Sequence, residues 1–390
     1  MFKDIKEANL QDKTVLLRVD YNVPIQNNKI LDDTKIKASL KTINYLLENN
    51  CRIIILSHLG KIKSDKDKEK YSLEIVAKRL NELVNTQVIF SRYTRSSELD
   101  LKVKTLNPKE ILVLENTRFE DYPNKLESNC DLELAEYWAS LGDLFVMDAF
   151  ATSHRRHAPT YGIAKFIPSY LGFLVLEEET MLNKYVLHPE GIFTIIVGGS
   201  KIDDKLELMQ KLLPKCNYML VTGGLANSCL KALGLNVGTS LATDDEEILQ
   251  SIKEMLITYK NKISLPLDVI ISKSYAEENV EVKNVNELDY EDYIGDIGPK
   301  TMRKYKGIIY GSDVIFLNGT CGIYEDKRFS NGTLELLEVL KESNKKIICG
   351  GGDALSAVKK FNHENDYTYL STGGGATLDY IINEKMAIID

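Results

Sequence analysis

The chain has 390 residues, 44% of them hydrophobic and 27% charged. These are ordinary values for a globular protein and exclude collagen, coiled coil and wholesale disorder. At roughly 100–200 residues per domain the length predicts two domains or three, and a formal net charge of −8 supplies no positive field for non-specific nucleic-acid binding, although a local basic site for a small anion stays open.

The opening MFKDIKEANLQDKT is too charged for a signal peptide. Apolar runs then alternate with amphipathic stretches to the end. The predicted strands are TVLLRVD (14–20), CRIIILSHLG (51–60), TQVIFS (86–91), EILVLEN (110–116), DLFVMDAF (143–150), FTIIVGG (193–199), YMLVTGG (218–224), LPLDVIIS (265–272), DVIFLNG (313–319), KKIICGGG (345–352) and YTYLSTGGG (367–375). Most are continuously apolar, as strands buried on both faces of a parallel sheet must be. Predicted helices include 72–84, 132–141 and 333–343. The alternation argues for an α/β fold. Eleven strands are too many for one comfortable sheet, so two sheets of five or six are expected. The stretch 169–187 between Pro168 and Pro189 reads as a long connecting helix. KIKSDKDKEK (61–70) reads as a solvated loop.

No apolar run approaches the roughly 20 residues that span a bilayer. Neither a nucleic-acid nor a membrane partner is expected, and the expected location is cytoplasmic. The six cysteines, Cys51, Cys130, Cys216, Cys229, Cys321 and Cys349, show no CxxC spacing and read as buried reduced thiols.

In open α/β sheets ligands bind beyond the carboxyl ends of the strands. In the first half those ends carry Arg18, Asp20 and Asn22, then Ser57 and His58, then Glu115, Asn116 and Arg118, then Asp148 and His154-Arg155-Arg156-His157. Such groups suit a small phosphorylated or carboxylated anion. In the second half the strands end in glycine pairs and triplets at 198–199, 223–224, 350–352 and 373–375, with Lys201 and Lys205 after the first. Glycine lets backbone N–H groups and helix N-termini approach phosphates, so this half reads as a nucleotide-phosphate site. There is no GxxxxGK[ST], GxGxxG, GxSxG or HExxH string.

In order along the chain, RVDYNVP (18–24), SHLG (57–60), LENTRF (114–119), DAFATSHRRHA (148–158), GGSKIDDK (198–205), DIGPKT (296–301), NGTCGIYE (318–325), GGGDA (350–354) and STGGGA (371–376) resemble the phosphoglycerate kinase family. The resemblance implies two doubly wound parallel-sheet, Rossmann-like domains joined by a long helix and hinge. It places a 3-phosphoglycerate-binding domain at 1–170, the connecting helix at 171–189, a nucleotide-binding domain at 190–370 and a return segment at 371–390. The implied activity is reversible phosphoryl transfer between 1,3-bisphosphoglycerate and ADP, giving 3-phosphoglycerate and ATP, with Mg²⁺. The implied enzyme is a monomer that closes about the connector and around Ser371 and Thr372.

Residue by residue, the resemblance implies that Asp20, Asn22, Lys35, His58, Lys61, Arg118 and Arg155 bind the phosphoglycerate. Gly199, Lys201, Lys205, Gly223, Gly224, Asn318, Ile323, Glu325, Gly351, Gly352, Asp353 and Ala354 would bind the nucleotide. Lys35, Lys201, Gly352 and Gly375 would act in the transfer, and Asp353 would hold the metal. The chain departs from the family pattern at Lys35 and Lys61, where arginine is usual, and at Ile62, Ala151, Thr320, Ala354 and Arg156. Lysine keeps the charge but loses the planar fork. The alternative is therefore a weakly active or inactive family member that binds phosphoglycerate or nucleotide.

Overall fold

The computed structural model of the protein describes residues 2–275 and 277–389. The chain divides into two compact units. One holds the residues up to Glu179 and those from Lys385 onward; the other is Thr180–Glu384.

The first unit is built on a seven-stranded sheet in the order Lys3–Asp4, Ser169–Leu171, Leu144–Asp148, Thr14–Val19, Arg52–Leu56, Ile111–Val113 and Val88–Phe90. Every pairing in it is parallel. The apolar runs explain this: Val15, Leu16 and Leu17, like Ile53, Ile54 and Ile55, are buried whichever face they point to. On one face Val15, Leu17, Ile53 and Ile55 meet Ile43 and Leu46 of helix Leu40–Glu48 and Val76 and Leu80 of helix Glu74–Leu83. Burying each such side chain contributes about 1.5–3 kcal/mol. A short hairpin, Ile25–Gln26 with Lys29–Ile30, turns at Asn27 and Asn28, both at positive φ, as its two-residue loop requires.

In the second unit a parallel sheet runs Ile263–Ser264, Tyr218–Val221, Phe193–Val197, Val314–Asn318, Lys346–Cys349 and Tyr369–Leu370. A separate three-stranded antiparallel sheet runs Glu281–Asn284, Asp268–Ser272 and Tyr293–Ile297.

Several expectations are corrected. The helix expected over 169–187 starts only at Phe173, because Ser169–Leu171 pairs as a strand with Leu144–Asp148. The division between units falls inside that helix, at Glu179 and Thr180. Residues 371–384 lie with the second unit: helix Gly375–Asn383 packs on helix Ile202–Leu212, and Glu384 pairs with Lys211 and Lys215, each at 2.9 Å. LPLDVIIS enters the antiparallel sheet as its centre, not a parallel one. KIKSDKDKEK contains a helix, Asp65–Lys70, because Ser64 and Asp67 form a capping box that satisfies its first N–H groups. All six cysteines are free thiols, five buried and Cys130 half-buried.

Candidate active site

In the first unit the parallel strands deliver polar residues at their carboxyl ends. Asp20 follows strand Thr14–Val19, and its Oδ1 accepts from the Asn22 N–H at 3.0 Å. Lys35, in the first turn of helix Thr34–Ala38, donates from Nζ to Asp20 Oδ2 at 2.5 Å. His58 follows strand Arg52–Leu56 and is 5% exposed. Its Nδ1 faces Nη2 of the buried Arg18 at 3.1 Å. A guanidinium can only donate, so Nδ1 must accept and the ring proton sits on Nε2. Burial also drives the His58 pKa down to about 3, with Arg18 and Arg118 adding to the shift and Asp20 opposing it. His58 is thus a neutral Nε2–H donor. Burial pushes the Asp20 carboxyl up, yet the Lys35 ammonium and the Asn22 N–H outweigh it and hold the group below its usual range. With His58 neutral, the Lys35 ammonium is the partner that keeps Asp20 ionised.

A second chain of contacts continues from Asn22. Its Oδ1 accepts from the Gly60 N–H at 2.9 Å, and Arg118 Nη1 donates to Gly60 O at 2.9 Å. The loop that carries Arg118 is locked to the SHLG loop by Asn116. That side chain accepts from Leu59 N and Arg118 N and donates to Leu59 O. Arg155 is exposed and donates from Nε to His154 Nε2 at 2.9 Å. Lys61 is exposed and makes no hydrogen bond or ion pair among the described residues. The fold therefore joins Asp20, Asn22, Lys35, His58 and Arg118 in one connected network and leaves Lys61 and Arg155 outside it. Two network members were not singled out from sequence as site groups, Glu127 and the His58-orienting role of Arg18. Glu127 is 1% exposed and pairs with Arg118 and His157.

The second unit builds its site from backbone. Four helices start just past the strand ends: Ile202–Leu212, Gly223–Ala232, Gly352–Lys360 and Gly375–Asn383. Their first N–H groups lack intrahelical partners and favour anions. Gly351 precedes one of them at φ +98°, where a Cβ would meet Asn318 Nδ2 at 2.7 Å. Gly352 and Gly375 are exposed, and the space where a Cβ would stand is open. The buried Lys205 donates to Asn318 Oδ1 and, at 3.3 Å, to Asn318 O, while Asn318 Nδ2 donates to Gly350 O at 2.7 Å. Asn318 thus holds Lys205 and the Gly350 turn together. Burial lowers the Lys205 pKa to about 8, Asp353 and Asp204 opposing the shift. Lys201 stands at the N-cap position of its helix without a side-chain cap hydrogen bond and is exposed. Ala354 packs its methyl into the hydrophobic core, which leaves only its amide for a ligand.

A cleft of about 200 Å³ opens beside this cradle. Gly199, Gly223, Gly224, Ile323, Glu325 and Asp353 line it, all expected from sequence; Leu241, Val269 and Tyr293 form apolar wall that was not. Asp296 also lines it. Burial pushes its pKa up to about 7, against hydrogen bonds from Gly332 N and Ile297 N. No group of three His, Cys, Asp or Glu residues among the described residues forms a cage for a metal ion. The exposed Asp353 carboxylate makes no hydrogen bond or ion pair among the described residues. A single free carboxylate beside amides that favour phosphate fits Mg²⁺, which takes most of its ligands from water and phosphate oxygens.

A family model described as phosphoglycerate kinase matches residues 5–384. A phosphoglycerate kinase of Mesomycoplasma hyopneumoniae (strain 232) is 41% identical over 385 residues, spanning 98% of this chain and 95% of that protein. One of Onion yellows phytoplasma (strain OY-M) is 39% identical over 391 residues, spanning 99% and 98%. The solved phosphoglycerate kinase from Coxiella burnetii matches with a TM-score of 0.87 at 35% identity, covering 100% of this chain and 98% of that one. With relatives of near-equal length matched almost end to end, the chain belongs to the phosphoglycerate kinase family.

Proposed function

We propose that the charge network of the first unit holds 3-phosphoglycerate, and that the amide cradle of the second holds ADP or ATP with Mg²⁺. The chain is a phosphotransferase with a carboxyl acceptor: it moves a phosphoryl group reversibly between 1,3-bisphosphoglycerate and ADP, a glycolytic step. In the direction of ATP formation, the bond from phosphorus to the acyl oxygen breaks and a bond to the ADP terminal oxygen forms. Such transfer needs alignment and charge neutralisation more than covalent help.

In this reading the ionised Asp20 accepts from the substrate hydroxyl, and Asn22 orients the carboxylate end. Neutral His58 donates from Nε2, and Arg118 and Arg155, with Lys61, neutralise the substrate phosphate. Lys35 supplies one cation toward the transferring group and Lys201 another. Lys205 holds the nucleotide phosphates, and the amides of Gly352 and Gly375 stabilise the equatorial oxygens. Glu325 meets the ribose hydroxyls, and Gly199, Gly223, Gly224 and Ile323 border the nucleotide. Asp353 holds Mg²⁺, which when bound neutralises phosphate charge. Reacting atoms must come to roughly 3–3.5 Å, so the reading includes hinge bending. It also takes the protein as a monomer of the cytoplasm.

The observation that carries the reading is the Lys205–Asn318–Gly350 linkage beside a free Asp353. A charged group, the amides of exposed glycines and a metal-binding carboxylate converge there on phosphate. A coupled assay with ATP, Mg²⁺ and 3-phosphoglycerate tests it, with turnover expected at about 1–100 s⁻¹. Binding of both substrates with turnover about 10⁴ below that range marks the weakly active alternative. Asp353→Ala is expected to abolish the Mg²⁺ dependence of ADP affinity by calorimetry; an unchanged dependence removes Asp353 from the metal site.

A further inference from the structure

Glu127 lies between the turn Thr117–Asp121 and helix Leu132–Ala139, and it is almost completely buried. A buried carboxylate without compensation is strongly destabilising. Here compensation comes from two sides at ion-pair distance: Oε2 is 3.6 Å from Arg118 Nε, and Oε1 is 3.5 Å from His157 Nδ1. Neither oxygen makes a closer hydrogen bond. Burial pushes the carboxyl up, but the His157 contact and the buried Arg18 guanidinium outweigh it and hold the group below its usual range. The Glu127 backbone joins the same arrangement, since Ala158 N donates to Glu127 O at 2.9 Å. Arg118 is therefore held at two points, by Gly60 O at Nη1 and by the Glu127 carboxylate at Nε. The loop carrying Arg155 is held through His157 and Ala158.

We propose that Glu127 is the positioning residue of the phosphoglycerate half-site: its buried carboxylate aims the Arg118 guanidinium and ties down the loop that presents Arg155. Glu127 does not touch the substrate; it acts through the two arginines. This rests on the reading that Arg118 and Arg155 hold the substrate phosphate.

Charge and position predict opposite signs. A carboxylate beside an anion site repels the anion, so if its field were its only contribution, Glu127→Gln would tighten phosphoglycerate binding. Positioning predicts loosening. Glutamine keeps the shape but loses the negative charge that holds the Arg118 guanidinium, so the arginine is freed to turn toward other acceptors. The expected result for Glu127→Gln is a KM for 3-phosphoglycerate raised at least about tenfold, with the KM for ATP within about twofold of wild type. Glu127→Asp keeps a charge but withdraws it, and is expected to raise the 3-phosphoglycerate KM by about threefold. A purely structural role would lower the melting temperature and the active fraction without separating the two KM values. An unchanged or lowered KM for 3-phosphoglycerate in Glu127→Gln overturns the proposal. Should that variant fail to fold, an unchanged KM in Glu127→Asp overturns it. Arg118→Ala is measured in parallel. If it binds 3-phosphoglycerate like wild type, the half-site assignment fails; if it loses binding while Glu127→Gln does not, the positioning role alone fails.

Discussion

The two proposed half-sites are built to hold anions by different means. In the first, five side chains and two buried counter-ions form the site, and each charge is held by another charge: Lys35 by Asp20, Arg118 by Glu127, with Arg18 fixing the proton of His58. In the second, backbone dominates. Helix N-termini and glycine turns make the cradle, and among the described residues Lys205 is the buried cation placed among them. A side-chain site can be retuned by substitution, as Lys35 and Lys61 illustrate. A backbone site tolerates most substitutions beside it and fails when a Cβ is added within it.

The largest break in that comparison is Lys201→Ala. Lys201 is exposed and makes no side-chain hydrogen bond or ion pair among the described residues, so its loss leaves the fold intact and, in the proposed reading, removes only a charge directed at the moving phosphoryl group. The expectation is a fall in kcat of about 10²–10³ with both KM values nearly unchanged. A rise in nucleotide KM without a fall in kcat assigns Lys201 to ground-state binding instead.

Gly351→Ala attacks the backbone cradle directly. At φ +98° the new methyl is strained, and it presses on the amide that holds Lys205 in place. The expected cost is about 1–3 kcal/mol of stability and a loss of roughly tenfold in ADP affinity, with 3-phosphoglycerate binding untouched. Thermal unfolding and calorimetry on one variant read both. Equal losses for both ligands would erase the distinction between the two half-sites.

Lys35→Arg sharpens the side-chain half. Lys35 already reaches Asp20 at 2.5 Å, and arginine restores a planar fork able to hold the carboxylate and still present a donor. Turnover is expected to rise about 3- to 10-fold. A fall means the surrounding network has adapted to lysine.

These contrasts also explain what the sequence disclosed. Side chains at strand ends were legible because parallel strands bring their carboxyl ends together, and the glycine clusters marked the amide cradle for the same reason. Glu127 was not legible: it is a single acidic residue in a loop without periodicity, and only the fold shows that it faces Arg118. The apolar cleft wall was missed because Leu241 sits in a loop, and Val269 and Tyr293 come from distant segments joined by an antiparallel sheet whose strand 281–284 is polar and strand 293–297 interrupted by Gly295. The strand Ser169–Leu171 was read as helix because three residues are too few to show a period against the apolar helix that follows. The helix Asp65–Lys70 was read as loop because it buries nothing and owes its start to one capping box.

The smallest expected effect concerns pH, and it separates the halves by their titrating groups. His58 and Arg18 in the first unit do not change charge between pH 6 and pH 9, since burial and neighbouring cations hold the histidine pKa near 3 and burial brings the arginine only to about 10. Lys205 does change, because burial has brought its ammonium down to about 8. The protonated form attracts nucleotide phosphate, so ADP affinity is highest below that value and falls as pH rises through it. Bound phosphate stabilises the cation and displaces the midpoint upward in the complex. The total change is expected to stay within about tenfold, the scale of one charge-assisted contact, while 3-phosphoglycerate affinity stays flat over the same range. In Lys205→Arg, which stays charged throughout, the part of the fall centred near pH 8 should disappear, leaving only the smaller contribution of Asp296, which burial holds at about 7 in the same cleft. Calorimetric titrations of wild type and Lys205→Arg at pH 6.5, 7.5, 8.5 and 9.0 resolve it, and a decline near pH 8 that survives the substitution assigns the titration to another group.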